Sequence, residues 1–170
     1  MMEPLEPHVY DRKEGAEQEA GRHHPEEVLR SVVGAPLFRD IGPAEAAEIL
    51  DAFDEQSFNR GHRITLEGMQ GSEFYVIADG KARVTVDGWK VAALGPGDFF
   101  GELAVLGDIA RVATVAAETP LRCLVLPNGK LEQMLKTHPQ FGINLLHTVA
   151  GRFRDLTRRP QVMDGGLATS

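Results

Sequence analysis

The stretch from Phe99 to Val115 reads FFGELAVLGDIARVATV and holds a glycine, a short apolar run, one carboxylate and one arginine. Gly101 has no Cβ, so the backbone can pass close to a ligand there. The apolar residues that follow predict a short helix, whose free N–H groups and dipole make an anion site. Arg111 adds a fixed positive charge and a planar donor fork suited to two phosphate oxygens. The stretch therefore predicts a phosphate-binding site.

Glu102 lies nine positions before Arg111 and predicts a different contact. An ionised carboxylate only accepts hydrogen bonds and repels phosphate, so its natural partner is a hydroxyl such as a ribose 2′-OH. An anion site beside a hydroxyl acceptor fits a cyclic nucleotide better than inorganic phosphate. The alternative is a surface Glu–Arg ion pair, worth about 0–1 kcal/mol, beside a helix with a structural role only.

The composition indicates a single domain with a sizeable core and some tail, because the chain has 170 residues. No apolar run approaches the roughly 20 residues of a membrane helix, and the acidic N-terminus does not resemble a signal peptide. Cys123 is the only cysteine, which excludes an intrachain disulfide and fits a reducing compartment. We therefore expect a cytoplasmic protein without a membrane partner.

The net charge of −7 is concentrated in the first 60 residues, which hold fourteen acidic and six basic side chains. The remaining residues are nearly neutral, so neither part offers the broad basic face that a duplex-binding protein needs. Four arginines near the C-terminus complement the end of a helix dipole better than they form a nucleic-acid patch: Arg152, Arg154, Arg158 and Arg159. Nucleic acid is not an expected partner.

Catalysis is not expected either. Small jelly rolls that hold a catalytic metal need about three converging His or Glu ligands, and of the histidines only His62 falls among the predicted strands. No Gly-x-Ser-x-Gly elbow marks a nucleophile. We expect no enzyme activity, no metal and no cofactor.

Short apolar segments separated by recurrent glycines predict an antiparallel β structure between residues 54 and 126. Asp79-Gly80 and Asp87-Gly88 are hairpin-turn dipeptides, and the residues between them alternate between apolar and polar. Short strands with frequent turns are typical of an antiparallel barrel or jelly roll. The prediction is a mainly β fold with flanking helices, divided into an acidic flexible tail at 1–24, a domain at 25–159 and a C-terminal tail at 160–170. Within the domain we expect helices at 25–53, a β-roll at 54–126 and a helix pair at 128–159.

The last predicted helix, residues 138–159, carries an apolar seam with spacings of 3, 4 and 3: Leu146, Val149, Phe153 and Leu156. Such a seam packs against the barrel or against a second copy of the same helix. A homodimer contact through this helix is therefore one of two open interpretations.

The stretch that begins at Phe99 resembles the phosphate-binding cassette of cyclic nucleotide-binding domains, in which F-G-E-L-A is followed, after a variable segment, by R-x-A-[TS]-V. The resemblance covers roughly residues 35 to 158 and includes these further landmarks: Pro36-Leu37-Phe38, Leu66-Glu67-Gly68, Phe74-Tyr75-Val76-Ile77 and Leu94-Gly95-Pro96-Gly97-Asp98. It implies an antiparallel eight-stranded β-roll with helices at both ends and the nucleotide inside the roll.

The resemblance also implies a role for each cassette residue. Glu102 would accept a hydrogen bond from the ribose 2′-OH, and Arg111 would pair with the cyclic phosphate. The implied ligand-binding set is Gly101, Glu102, Leu103, Ala104, Arg111, Val112 and Ala113, in which the backbone N–H groups of Leu103, Ala104 and Val112 complete the phosphate cradle. Similar domains that prefer cGMP often place a threonine after the arginine. Val112 stands there in this chain, so cAMP is the expected ligand and cGMP is less favoured. Leu156 and Thr157 fall where the catabolite activator protein covers the base.

The function implied by this resemblance is a cAMP-binding sensor that signals to an unidentified partner protein through its C-terminal helices. Only eleven residues follow Arg159, too few for the helix-turn-helix domain of the family's transcription factors, so no DNA-binding domain is expected. Two alternatives stay open: a ligand-free β-roll used for assembly, and the sensor part of a larger transcription regulator or effector protein.

Overall fold

The computed structural model describes residues 26–127 and 129–158. The predicted tails at 1–24 and 160–170 lie outside the described residues, as do Pro25, Asn128 and Arg159 at the predicted ends of helices. Within the described ranges, no helix has the length and hydrophobicity needed to cross a bilayer.

The described chain begins with helices. Helix α1 spans Glu26–Val33, a 3₁₀ helix spans Pro36–Phe38, and α2 spans Pro43–Asp51. Proline opens both of the last two, because its missing N–H would have no helical acceptor at that position. The apolar side chains of these helices are buried against the sheet that follows.

Eight strands follow in two antiparallel four-stranded sheets. The first sheet has the order β1-β8-β3-β6 and the second has the order β2-β7-β4-β5. The predicted eight-stranded β-roll with flanking helices is confirmed. The strands are β1 Asp54–Phe58, β2 Arg63–Thr65, β3 Phe74–Asp79, β4 Ala82–Val86, β5 Trp89–Leu94, β6 Phe99–Phe100, β7 Thr114–Ala117 and β8 Leu121–Leu126.

Two hydrophobic cores lie on opposite faces of the first sheet. One core joins its outer face to the helices, and the other fills the space between the two sheets. Strand β3 contributes to both, which explains its unbroken apolar run from Phe74 to Ala78. Cys123 belongs to the inner core, where burial raises the pKa of its thiol to about 12. This thiol is therefore an inert packing group.

The outer face of the second sheet carries no helix among the described residues. A groove of about 470 Å³ lies on that face, and its lining includes Arg63, Arg83 and Thr114. Neither Glu102 nor Arg111 lines this groove, so the groove is separate from the predicted site.

Three helices complete the described fold: α3 Glu102–Gly107, α4 Lys130–Thr137 and α5 Pro139–Arg158. Helix α3 is the short helix predicted after Gly101. The residue before it and the residue after it, Gly101 and Asp108, both have left-handed backbones with φ of 91° and 49°. These two turns set α3 apart from β6 and lead the chain back toward β7.

The exposed face of α5 differs from the predicted seam. Val149 packs against the helical core, so it is not available to a second copy. The other three predicted seam residues, Leu146, Phe153 and Leu156, are exposed. A row of exposed side chains also runs through Ile143, Leu146, Ala150 and Phe153, again with spacings of 3, 4 and 3. Hydrophobicity alone does not show that Val149 meets the core, and the dimer contact stays a prediction.

Asn144 fastens α5 to the N-terminal helices. Its side-chain amide donates to the backbone carbonyls of Leu37 at 2.9 Å and Arg39 at 2.7 Å, and its Oδ1 accepts from Gln140 at 3.0 Å. Asn144 is 4% exposed, so these bonds satisfy groups that water does not reach. The base of α5, meaning its first two turns, is therefore fixed to the 3₁₀ helix. The turns that carry Arg152 lie beyond this anchor.

We expect Asn144→Asp to lower the free energy of unfolding by about 3–5 kcal/mol, because a buried carboxylate would face two carbonyl oxygens and lose both donors. Urea denaturation measures this loss. The exposed neighbour His147 provides a control, since His147→Ala should change stability by less than about 0.5 kcal/mol. Equal stability of the two variants would contradict the anchoring role.

Candidate functional site

Arg111 is a buried cation at the centre of the cassette. Its Nη1 donates to the carbonyl of Gly101 at 3.2 Å and its Nη2 donates to the carbonyl of Glu73 at 3.0 Å. Nη2 also lies 3.4 Å from Oε2 of the Glu73 carboxylate. The Arg111 side chain is 5% exposed, and its charge is compensated by this partner rather than by Glu102.

The loop between β2 and β3 encloses Arg111 from two sides. The backbone N–H of Arg111 donates to Met69 at 2.9 Å, and its carbonyl accepts from Gly68 at 2.8 Å. Gly71 lies directly against the guanidinium, where a Cβ would overlap Nε. Gly71 is therefore required by close packing, since any side chain there would push the guanidinium out of place.

Gly101 meets the same constraint from the other side. A Cβ there would come 2.7 Å from the Glu73 carbonyl and 2.8 Å from Nη1 of Arg111. The φ of 91° also lies in the left-handed region that favours glycine. The close approach predicted for Gly101 is thus made by protein groups in this structure.

Arg111 keeps unused hydrogen-bonding capacity. A guanidinium has five N–H donors, and the three bonds described above use one proton of Nη1 and both of Nη2. Among residues 26–127 and 129–158, no acceptor is recorded for Nε or for the second Nη1 proton. Because buried donors are normally paired, these two protons are available to the oxygens of an anion.

Glu102 is a buried anion at the first position of α3, only 5% exposed. Burial raises the pKa of its carboxyl above the ordinary value, while the charges of Arg152 and Arg111 and its own backbone N–H oppose this rise. Arg111 lies close by, because it donates to the carbonyl of Gly101, the residue before Glu102. The structure therefore brings the two predicted residues together.

The partner of Glu102 comes from α5. Nη1 of Arg152 lies 3.5 Å from Oε1 of Glu102, and Nη2 of Arg152 donates to the carbonyl of Phe99 at 2.7 Å. The guanidinium also lies over the Phe99 ring, with Cζ 4.4 Å from the ring centroid, a cation–π contact. Arg152 thus joins the last helix to both ends of the turn that leads into α3.

The remaining predicted residues surround these charges. Ala104 is buried, while Leu103 and Val112 are 43% and 46% exposed. The Ala113 carbonyl accepts a hydrogen bond from the Thr65 hydroxyl at 3.2 Å. The N–H groups of the first turn of α3 have no acceptor inside the helix, because the first turn of a helix has no preceding turn. The exposed side chains of Leu103 and Val112 give the cassette an apolar surface beside its buried charges.

Leu156 and Thr157, the two residues predicted to cover the base, make no hydrogen bond or ion pair to the cassette within the part of the chain that the structure describes. Leu156 is 57% exposed, and the Thr157 hydroxyl donates to the Arg154 carbonyl of its own helix at 2.8 Å. The residue of α5 that reaches α3 is Arg152, one turn earlier.

Three residues of the site were not predicted from the sequence: Gly71, Glu73 and Arg152. Gly71 and Glu73 both precede the landmark that begins at Phe74, so a polar loop with glycines before a buried strand was the available signal. Arg152 was interpreted only as a complement to the helix dipole. Among the described residues, no group of three or more His, Cys, Asp or Glu side chains could hold a metal ion.

Comparison with known proteins agrees with this geometry. The family model for the cyclic nucleotide-binding domain matches residues 55–138. The chain is 37% identical over 102 residues to a cAMP-dependent protein kinase regulatory subunit of Yarrowia lipolytica, which covers 59% of this chain and 27% of the subunit. It is 34% identical over 115 residues to a cGMP-dependent protein kinase, isozyme 2, of Drosophila melanogaster, covering 63% of this chain and 12% of the kinase.

Solved structures show the same fold. "PKAR CBD2" with Sp-2Cl-cAMPS bound superimposes with a TM-score of 0.66 at 26% identity, over 79% of this chain and 87% of that one. The N-terminal domain of a transcriptional regulator from Streptomyces coelicolor A3(2) gives a TM-score of 0.57 at 31% identity, over 79% and 97% of the two chains.

The chain belongs to the cyclic nucleotide-binding domain family, whose domain is a regulatory module rather than a catalytic one. The matched part spans about a quarter or less of the two curated relatives, 27% and 12% of their lengths.

Glu102 should make stability depend on pH. Because the pKa of its carboxyl is raised in the folded state above the ordinary 4.5, the folded protein binds more protons than the unfolded chain between these two pKa values. The free energy of unfolding therefore falls as pH rises through that window. We expect the free energy of unfolding of Glu102→Gln to equal that of wild type near pH 4, where the carboxyl is protonated in the folded and unfolded states, and to exceed it at pH 7. Urea denaturation between pH 4 and pH 7 measures the difference in the free energy of unfolding between the two proteins. A difference that is the same at every pH would contradict the buried, ionisable state of Glu102.

Proposed function

We propose that this chain binds cAMP in preference to cGMP and signals to a partner protein through its C-terminal helix. The observation that carries this proposal is the pair of buried, partly unsatisfied charges at the start of α3: Arg111 with unused donors and Glu102 with unused acceptor capacity. A cyclic nucleotide supplies a phosphate for the first and a ribose hydroxyl for the second. No cofactor is part of the proposal.

The phosphate would lie against Nε and Nη1 of Arg111, the two nitrogens with unused protons. The backbone N–H groups of Leu103, Ala104 and Val112 would complete the cradle, as in the family resemblance. Since Arg111 is already fixed by two backbone carbonyls, little side-chain entropy is lost when the ligand binds.

The ribose hydroxyl would compete with Arg152 for Glu102. The Glu102–Arg152 distance of 3.5 Å is long for an ion pair, so a hydroxyl that donates to Glu102 weakens the attachment of α5 to the cassette. Because Asn144 holds the base of α5, a change at Arg152 is transmitted to the helix beyond it. A ligand shifts such an equilibrium only by its differential affinity for the two positions of the helix.

The base would lie beside Val112, whose side chain offers no hydroxyl to a guanine. Leu156 and Thr157 would then cover an adenine once the end of α5 moves toward the cassette. The exposure of Leu103, Val112 and Leu156 supports this closure, because the movement would remove three apolar side chains from water.

Arg111→Ala should weaken cAMP binding roughly 10- to 150-fold, the effect of losing a charge-assisted hydrogen bond worth about 1.5–3 kcal/mol. Isothermal calorimetry with cAMP and with cGMP measures this and the base preference together. Arg122→Ala is the matched control, since Arg122 pairs with Glu55 at 3.3 Å on the first sheet and should leave the affinity unchanged. Superimposable titrations for wild type and Arg111→Ala would rule out the proposed phosphate contact.

A ligand-free assembly domain is the second candidate. It is favoured by one observation: both site charges already have protein partners, Glu73 for Arg111 and Arg152 for Glu102. This candidate would be favoured if calorimetry detects no heat of binding and the melting temperature does not change with cAMP, cGMP or cyclic dinucleotides.

The exposed row Ile143, Leu146, Ala150 and Phe153 supports a homodimer through α5, in which two copies of the row pack as a short coiled coil. Phe153 is 68% exposed and Leu146 is 64% exposed, so a dimer would remove two large apolar side chains from water.

Sedimentation equilibrium should give about twice the chain mass of 18.6 kDa for wild type. It should give the monomer mass for Phe153→Glu, because dimerisation would bury the new charge between the two rows. Trp89 is 78% exposed on the β4–β5 hairpin, so Trp89→Glu is the control and should remain dimeric. A monomeric wild type at high micromolar concentration would exclude this dimer.

A further inference from the structure

We propose that Glu73 is a built-in competitor of the ligand phosphate, which limits the affinity of the site. This inference rests on the proposed binding of a cyclic nucleotide and adds a residue that determines how tightly the nucleotide is held. Glu73 lies immediately before β3, and its carboxylate is the only side-chain anion recorded against Arg111 among the described residues.

The position of Arg111 does not depend on the Glu73 carboxylate. Its guanidinium is held by two backbone carbonyls, those of Gly101 and Glu73, at 3.2 Å and 3.0 Å. The backbone of Gly71 packs against the guanidinium as well. Removing the carboxylate therefore leaves the cation in place and exposes more of its charge to an incoming anion.

The carboxylate itself is free to leave. Its side chain is 35% exposed, against 5% for Arg111, and it is otherwise held by the N–H of Ser72 at 3.2 Å. A phosphate that binds Arg111 would stand a few ångströms from this carboxylate, and two like charges at such a distance repel. Binding therefore requires the Glu73 side chain to turn toward water, which breaks its ion pair with Arg111.

Two possible roles of Glu73, competition with the phosphate and positioning of Arg111, predict opposite changes in ligand affinity. If Glu73 positioned Arg111 for the ligand, its neutralisation would weaken binding. If Glu73 competes with the phosphate, its neutralisation strengthens binding, and only for ligands that carry a phosphate. The sign of the change and its dependence on the phosphate are therefore diagnostic.

The experiment compares wild type, Glu73→Gln and Glu73→Ala by calorimetry with two probes, cAMP and adenosine, which lacks the phosphate. We expect both variants to bind cAMP about 10-fold more tightly than wild type, the size of a removed like-charge contact at a partly exposed site. Adenosine should bind all three proteins equally. Glu67→Gln is the control for net charge, because Glu67 lies on the same loop but accepts from the N–H of Asp87 at 2.9 Å.

Unchanged or weaker cAMP binding by folded Glu73→Gln and Glu73→Ala, with wild type binding cAMP, would overturn this inference and leave the proposed function standing. An equal gain for adenosine, or for Glu67→Gln, would also overturn it. If neither wild type nor the Glu73 variants bind cAMP, the proposed function fails and this inference fails with it. Tighter cAMP binding by the Glu73 variants alone supports both.

Discussion

The burial of one guanidinium, that of Arg111, is the constraint on which the site depends. A charge removed from water must be surrounded by acceptors, and here the acceptors come from Gly101 at the entrance to α3 and from Glu73 before β3. Both approaches need a glycine, Gly101 or Gly71, because a Cβ would collide with the cation or its acceptors. The cassette and the β2–β3 loop therefore support Arg111 together, and under the proposed function its unused donors would bind the ligand phosphate.

The second charge, Glu102, connects that support to the rest of the molecule. It meets Arg152 of α5, while Asn144 ties the base of the same helix to the 3₁₀ helix at the N-terminal side of the fold. One helix thus contacts the cassette through a long ion pair to Glu102 and a short hydrogen bond to the Phe99 carbonyl, and it contacts the helical layer through the buried hydrogen bonds of Asn144. Under the proposed function, the ribose hydroxyl would replace the long ion pair, which would give the domain a physical route from ligand to helix.

The sequence predicted the features that local chemistry determines. The Asp-Gly turns and the alternation between them indicated the antiparallel roll, and the residues FGELA indicated the short helix α3 that begins after Gly101. Features that depend on tertiary contacts were missed. Arg152 lies 50 positions from Glu102, the polar strand β1 has no apolar alternation, and Val149 occupies the core-facing stripe of a helix with two apolar stripes. None of these is visible until the helices are packed on the sheet.

The proposed function requires Glu102 to accept a hydrogen bond from a ribose hydroxyl, and a calorimetric cycle of cAMP and 2′-deoxy-cAMP against wild type and Glu102→Gln measures that bond. Wild type should lose about 10-fold or more in affinity when the hydroxyl is absent, the effect of a hydrogen bond to a charged group. Glu102→Gln should distinguish the two ligands only weakly. Equal affinity of wild type for both nucleotides, or the same loss in both proteins, would contradict the proposed function.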